Sequence, residues 1–123
     1  MSKAISGLAY WEARWAKDPW AFATSWPDTY ARLLELAALK KYLRFDKPIL
    51  ELGAGNLQLA EDNDLLLSLA KAGYLGIEGS FSARNVAVHR LGMFQNTGVW
   101  YEDFSSPGCL EEIDVEIPGR TCL

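Results

Sequence analysis

Apolar residues recur at helical spacing near the start of the chain: Leu8, Tyr10, Trp11 and Trp15 fall within residues 8–17 on a period of about 3.6. Asp18-Pro19 ends that element, because proline lacks the N–H a helix needs and restrains the residue before it. Trp20, Phe22 and Trp26 carry the aromatic density on through a loop. The spacing then predicts a helix from Tyr30 to Leu43, capped by Asp28, with Leu33, Leu34, Leu36, Ala37 and Leu39 apolar. Lys40, Lys41 and Arg44 sit at its carboxyl end, where the dipole favours cations, and read as a solvated helix end. After the turn Phe45-Asp46-Lys47, the pattern changes at Pro48-Ile49-Leu50-Glu51-Leu52 to a short strand. From Leu57 to Ala72, Leu59, Leu65, Leu66, Leu69 and Ala70 are apolar around the acidic run Glu61-Asp62-Asn63-Asp64. Two readings stand there: one continuous helix, or a short turn ending near Asn63 and a second helix capped by Asp64. Gly73 terminates the element, and Tyr74–Glu78 is a second strand. Ser80 or Ser82 opens a helix from Phe81 to Phe94, with Val86, Val88, Leu91 and Met93 on its apolar side. Gln95–Gly98 is a turn, and Val99–Tyr101 a third strand.

Strands alternating with helices imply an α/β sheet that is mostly parallel. The chemistry-bearing residues lie where such a sheet would gather them. Gly53-Ala54-Gly55 follows the first strand at once, and a strand running into a glycine-spaced turn brings backbone close to a nucleotide-like ligand. Glu78, at the end of the second strand, stands where doubly wound folds place the acid that accepts hydrogen bonds from ribose hydroxyls; otherwise it is an exposed strand-end carboxylate. Asp103, just past the third strand, is placed either to meet an adenine amino group or to cap a turn. The ring-rich helix Tyr10-Trp11-Glu12-Ala13-Arg14-Trp15 either buries its rings in a core or forms a wall over the glycine turn. His89, the only histidine, has no carboxylate or cysteine at ligand spacing and is assigned no catalysis.

Composition narrows the classes. The chain has 123 residues, half of them hydrophobic, and a net charge of −4. One small domain follows, with no basic stripe for nucleic acid. No apolar run reaches the roughly 18 residues of a membrane span. Met1-Ser2-Lys3-Ala4 lacks the apolar segment of a secretory signal, and Cys109 and Cys122 lack metal-ligand spacing. A cytoplasmic protein with reduced cysteines and no metal is expected.

The sequence of elements resembles the first half of a class I S-adenosylmethionine-dependent methyltransferase, and the motifs resemble one group within it. Tyr10-Trp11-Glu12-x-Arg14-Trp15 is similar to the Tyr-Trp-Asp-x-Arg-Tyr opening of the small methyltransferase-domain proteins that include elongation-factor lysine methyltransferases. Glu51-Leu52-Gly53-Ala54-Gly55-Asn56 resembles their first motif, Ala72-Gly73-Tyr74 with Gly76-Ile77-Glu78-x-Ser80 their second-strand block, and Glu102-Asp103-Phe104 their acidic motif. The resemblance runs from residue 8 to about 105. It implies a Rossmann-like fold, three to four mostly parallel strands with flanking helices. Residues 1–45 would be a helical cap segment, and 46–123 a partial cofactor-binding domain. It also implies that S-adenosylmethionine is the cofactor. Gly53 and Gly55 would approach its methionine part, with Glu51 shaping the loop and Asn56 following it. Glu78 would take the ribose, and Asp103 and Phe104 would lie near the adenine. Tyr10, Trp11 and Arg14 would cover the cofactor, with Arg14 a candidate partner for its carboxylate. The implied partner is a protein offering a lysine, with no nucleic acid and no membrane.

Three departures shape the expectation. The stretch between Asn56 and Gly73 is longer than in that family, around Glu61–Leu67. Glu112-Ile113-Asp114-Val115-Glu116-Ile117 could begin a fourth strand, but the acceptor half does not follow, so a truncated or spliced form or an incorrect gene model is expected. A half sheet leaves an edge open to dimerisation. The alternatives are a non-catalytic cofactor-binding or subunit-interaction remnant of that family, and an NAD-binding Rossmann protein. The last has Gln58 where the third fingerprint glycine belongs.

Overall fold

The computed structural model describes residues 7–22, 26–92, 94–103, 111 and 121–122. Four helices and four strands lie among them: α1 (Gly7–Lys17), α2 (Trp26–Tyr42), β1 (Ile49–Leu52), α3 (Asn63–Ala72), β2 (Tyr74–Glu78), α4 (Phe81–Leu91), β3 (Thr97–Tyr101) and β4 (Thr121–Cys122). The strands form one sheet in the order β3-β2-β1-β4, and every described pairing is parallel. Leu50 faces Leu75 across β1 and β2, and Gly76 faces Val99 across β2 and β3.

A parallel sheet is covered on both faces, so its central strand carries few polar positions. All five residues of β2 are buried. Alternation along the strands divides the core. Ile49, Tyr74 and Val99 join Leu36 of α2, Leu65 and Leu69 of α3, and Ala87 and Leu91 of α4 in the larger cluster. Leu50, Leu75 and Ile77 face the other way with Leu52 and Trp100.

Several boundaries differ from those the sequence implies, each for a local reason. The second helix begins at Trp26 rather than Tyr30, with Pro27 and Asp28 in its first turn. Proline is welcome there, since its missing N–H would have no helical partner anyway. Between Asn56 and Gly73 the two-part reading holds, but with another cap. A 3-10 turn spans Gln58–Glu61, and Asp62, not Asp64, caps α3 by accepting from the Leu65 amide at 3.1 Å. Asp62 also pairs with Lys40 at 3.1 Å, which ties α3 to the end of α2. The fourth helix stops at Leu91 instead of Phe94, because Gly92 turns the backbone to φ 59°. The third strand starts at Thr97, two residues earlier than Val99. The stretch 112–117, expected to begin a fourth strand, lies outside the described residues; the strand beside β1 is the short β4.

A candidate cofactor cavity at the carboxyl ends of the strands

The first strand ends in a turn built on positive φ angles: Gly53 at 71°, Gly55 at 60° and then Leu57 at 63°. The glycines adopt that geometry without strain, whereas Leu57 holds it as a fully buried side chain. The turn is fastened to β2. Gly53 and Ala54 donate their amides to the Ile77 carbonyl at 2.8 and 3.1 Å. Gly55 donates to one oxygen of the Glu78 carboxylate at 2.6 Å, and Ser80 to the other at 2.8 Å. Glu78 therefore bridges the glycine turn and the start of α4.

Over this turn lies a cavity of about 900 Å³, large enough for a dinucleotide-sized ligand. Gly53, Ala54 and Gly55 line it from the turn, Leu8, Trp11 and Trp15 from α1, and Glu35, Glu51, Glu78 and Asp103 supply four carboxylates. Among the described residues, no lysine or arginine lines it. Trp15 sits so close to the turn that a Cβ on Gly55 would come within 3.1 Å of its ring. None of the described residues of α1 is buried, and Trp11 and Trp15 form a wall of the cavity and not part of the core.

Glu51 lies on the floor. The Tyr74 hydroxyl donates to it at 2.6 Å. Burial, and after it the like charges of Glu35 and Glu78, push its carboxyl from 4.5 up to about 7, against the opposing pull of the Tyr74 bond. Burial and the neighbouring Glu51 in turn raise the Tyr74 hydroxyl well above its usual value.

The wall is held by contacts that the sequence did not announce. Glu12 of α1 accepts from the Ser82 hydroxyl, from the Ser82 amide at 3.0 Å and from the Ser80 hydroxyl at 3.0 Å, docking a carboxylate at the amino end of α4. The bonds from Ser82, with a smaller one from Ser80, hold its carboxyl below the usual range. Asn56, completely buried, donates its side-chain amide to the carbonyls of Pro19 and Ala21, both at 2.7 Å. Gln58 donates to the Phe22 carbonyl at 2.8 Å, and Arg90 to the Asn56 carbonyl at 2.8 Å while lying 4.0 Å over the Phe22 ring. The segment after α1 is thus strapped to the residues that follow the glycine turn.

Of the residues singled out from sequence, Trp11, Glu51, Gly53, Gly55, Glu78 and Asp103 meet around this cavity. Tyr10 does not line it: its ring stands edge-on to Trp11, 5.3 Å between centroids, and half of the residue is exposed. Arg14 lines an adjoining cavity of about 410 Å³ that shares Trp11, Trp15, Glu35 and Gln58 with the first. Asn56 is a strap residue beneath the turn and not part of the lining. Phe104 lies outside the described residues. Glu12 and Trp15 belong to the ring-rich motif read as a possible wall over the glycine turn; Leu8, Glu35 and Tyr74 carry no sequence signal for the site, and Gln58 is marked in the sequence only as the place of a missing fingerprint glycine. Among the described residues, no group of histidine, cysteine or acidic side chains is arranged to hold a metal ion, and no helix is long and apolar enough to cross a membrane.

No protein-family model matches the chain, and no curated protein matches it. Among solved structures, the crystal structure of a SAM-dependent methyltransferase from Anabaena variabilis is similar, with a TM-score of 0.68 and 19% sequence identity. The match covers 99% of this chain and 49% of the neighbour, so the chain spans about half the length of that protein. At such identity the likeness is one of architecture: the fold is α/β and Rossmann-like, as in that neighbour.

Proposed function

We propose that this chain binds S-adenosylmethionine in the cavity above the glycine turn and serves methyl transfer. The observation that carries the reading is the charge of the cavity. Among the described residues, four carboxylates line it without a lysine or arginine. Such a wall suits a ligand bearing a sulfonium and an ammonium and repels a pyrophosphate. The backbone supports the same choice. A dinucleotide fingerprint offers free amides at a helix amino end. Here the amides of Gly53, Ala54 and Gly55 are already bonded to Ile77 and Glu78, and a 3-10 turn follows where that helix would begin. NAD is therefore the weaker reading.

In this reading residues 1–45 are the cap and 46–123 the cofactor-binding part. Gly53 and Gly55 leave room for the methionine portion, Glu78 takes the ribose hydroxyls and Asp103 lies toward the adenine. Arg14 reaches the cofactor carboxylate from the adjoining cavity. The bound cofactor supplies an electrophilic methyl group. The chain aligns it and excludes water with Leu8, Trp11 and Trp15. The finer proposal, that the acceptor is a protein lysine, rests on the resemblance at Tyr10–Trp15 and Gly76–Ser80. A second reading, cofactor binding without transfer by this chain alone, draws on its spanning 49% of the structural neighbour.

Calorimetric titration of the 123-residue chain with S-adenosylmethionine, and with NAD as control, tests the proposal. Saturable binding of the first alone is expected, and loss of it in a folded Gly53→Arg variant. Equal binding of both ligands, or none by the folded chain, refutes it. For a lysine acceptor, mass spectrometry of a purified translation elongation factor after incubation with chain and cofactor should find a methyl group added at lysine.

A further inference from the structure

The carboxylates of the cavity are too close to ignore one another. Glu51 is half-buried at the floor with its oxygen bonded to the Tyr74 hydroxyl, Glu78 stands on the adjacent strand, and Glu35 adds a like charge from α2. Asp103 lines the same space from the end of β3, and α1 contributes only Gly7, Leu8, Trp11 and Trp15. Arg14, Lys17 and Arg32 line the adjoining cavity, and Arg32 is already paired with Glu61. Among the described residues, nothing positive in the lining offsets the like charges. A buried carboxyl among carboxylates lowers its energy by keeping a proton, until a cation replaces that proton.

We propose that Glu51, held by Tyr74 on the cavity floor, is a proton-exchanging specificity residue: it is protonated in the empty cavity and releases that proton when a cationic ligand binds. This deepens the S-adenosylmethionine reading and rests on it. The exchange balances. The carboxyl O–H bond breaks, the proton leaves to buffer, and the ligand's positive charge takes its place beside the carboxylate. Tyr74 is the positioning residue. It donates to the carboxyl in either state, and its bond favours the ionised one. A neutral analogue of equal shape gains nothing from the exchange, so the residue selects for charge.

The expected size follows from the carboxyl's own titration. With its midpoint at about 7, about nine-tenths of Glu51 carries a proton at pH 6 and about half at pH 7. If the ligand empties that site, binding releases about 0.9 proton at pH 6, and affinity rises about fivefold from pH 6 to pH 7. The ligand's own α-amino group, with an ordinary value of about 7.7–8.0, stays mostly protonated over this range.

The test is calorimetry of the whole chain with S-adenosylmethionine at pH 6 and pH 7, each in phosphate and in imidazole, whose ionisation enthalpies differ. Wild type should show buffer-dependent heat that reports proton release, and Glu51→Gln, which keeps an acceptor for Tyr74, should show none and bind equally at both pH values. Tyr74→Phe should move the midpoint upward, since the bond it removes favours ionisation. Binding without proton release, or the same release in Glu51→Gln, overturns this inference and leaves the cofactor reading standing. No binding by folded wild type at either pH overturns both.

Discussion

Gly76 sits in the middle of the central strand, and its missing side chain is where the sheet and the glycine turn touch. A Cβ there would lie 2.8 Å from the Ala54 Cβ and 2.8 Å from the Tyr74 hydroxyl. Neither neighbour yields easily. The Ala54 Cβ is fixed to a backbone whose amide is bonded to Ile77, and the Tyr74 hydroxyl is bonded to Glu51. Gly76→Ala therefore overpacks a rigid site, at a cost of about 1–3 kcal/mol. The neighbouring strand provides the control. A Cβ on Gly98 meets nothing within 4 Å, so Gly98→Ala should gain about 0.5–1 kcal/mol by stiffening the unfolded chain. The two variants should thus differ by about 1.5–4 kcal/mol, which at a urea slope of about 2 kcal/mol/M separates their midpoints by about 1–2 M. Ala54→Gly removes one of the two obstacles, so the double variant should recover part of the loss, with a coupling of about 0.5–3 kcal/mol. Equal midpoints for the two alanine variants, or strict additivity with Ala54→Gly, would refute the packing argument.

Glu51 also makes stability pH-dependent. Because its carboxyl is raised from 4.5 to about 7, the folded chain keeps a proton there that the unfolded chain has lost; stability is full below the lower value and falls by up to about 3 kcal/mol as pH rises through the higher one. Urea midpoints between pH 5 and pH 7 should fall more in wild type than in Glu51→Gln, and parallel curves would count against the assignment. Glu12→Ala removes the bonds from Ser80 and Ser82, at a cost of about 1–2 kcal/mol after allowance for its solvent contact, and should open Trp11 and Trp15 to acrylamide quenching. The Glu12 carboxyl is held low, so this docking is complete above the ordinary value of 4.5 and is lost as pH falls through its depressed one; quenching that is constant with acid contradicts the contact. Asn56→Ala leaves the Pro19 and Ala21 carbonyls without their buried donor, which should cost about 2 kcal/mol and speed proteolysis within residues 18–22; unchanged cleavage would mean the strap is held by Gln58 and Arg90 instead.

The elements could be read from sequence because their signals are local. The second strand, Tyr74–Glu78, is bounded by a glycine and by a serine cap that bonds the Ala83 amide at 3.2 Å, and both act within a few residues of where they stand. The errors have the same origin. Asp28 reads as a cap, yet it lies inside the first turn of α2 beside Pro27, whose missing N–H has no helical partner there anyway. Met93 and Phe94 continue an apolar pattern, yet Gly92 ends the helix before them, since backbone geometry there outweighs periodicity.

The site was legible where its residues belong to the turn, to strand ends or to the ring-rich first helix. Glu51, Gly53, Gly55, Glu78 and Asp103 meet because β1, β2 and β3 run parallel and deliver their carboxyl ends to one edge, so topology alone assembles them. The residues that fasten the wall follow no such rule. Ser80 and Ser82 read as helix caps, and Ser80 is one; that a carboxylate from α1 also docks on that helix end depends on where two distant segments pack. Asn56 shows the limit more sharply. Its position after the glycines points to the ligand, yet its amide turns away to the Pro19 and Ala21 carbonyls. The pattern of spacing fixes which backbone comes near the cavity, while the partner each side chain takes is decided by the unsatisfied groups it meets there. By that reasoning the charge of the cavity, which carries the functional reading, is a tertiary property: Glu35 comes from a helix whose sequence gave no hint of a site, and it adds its like charge to Glu51 only once α2 has packed. Replacing Glu35 by Gln should accordingly draw the Glu51 midpoint downward without moving the glycine turn, a shift that nuclear magnetic resonance of the carboxyl carbons would resolve.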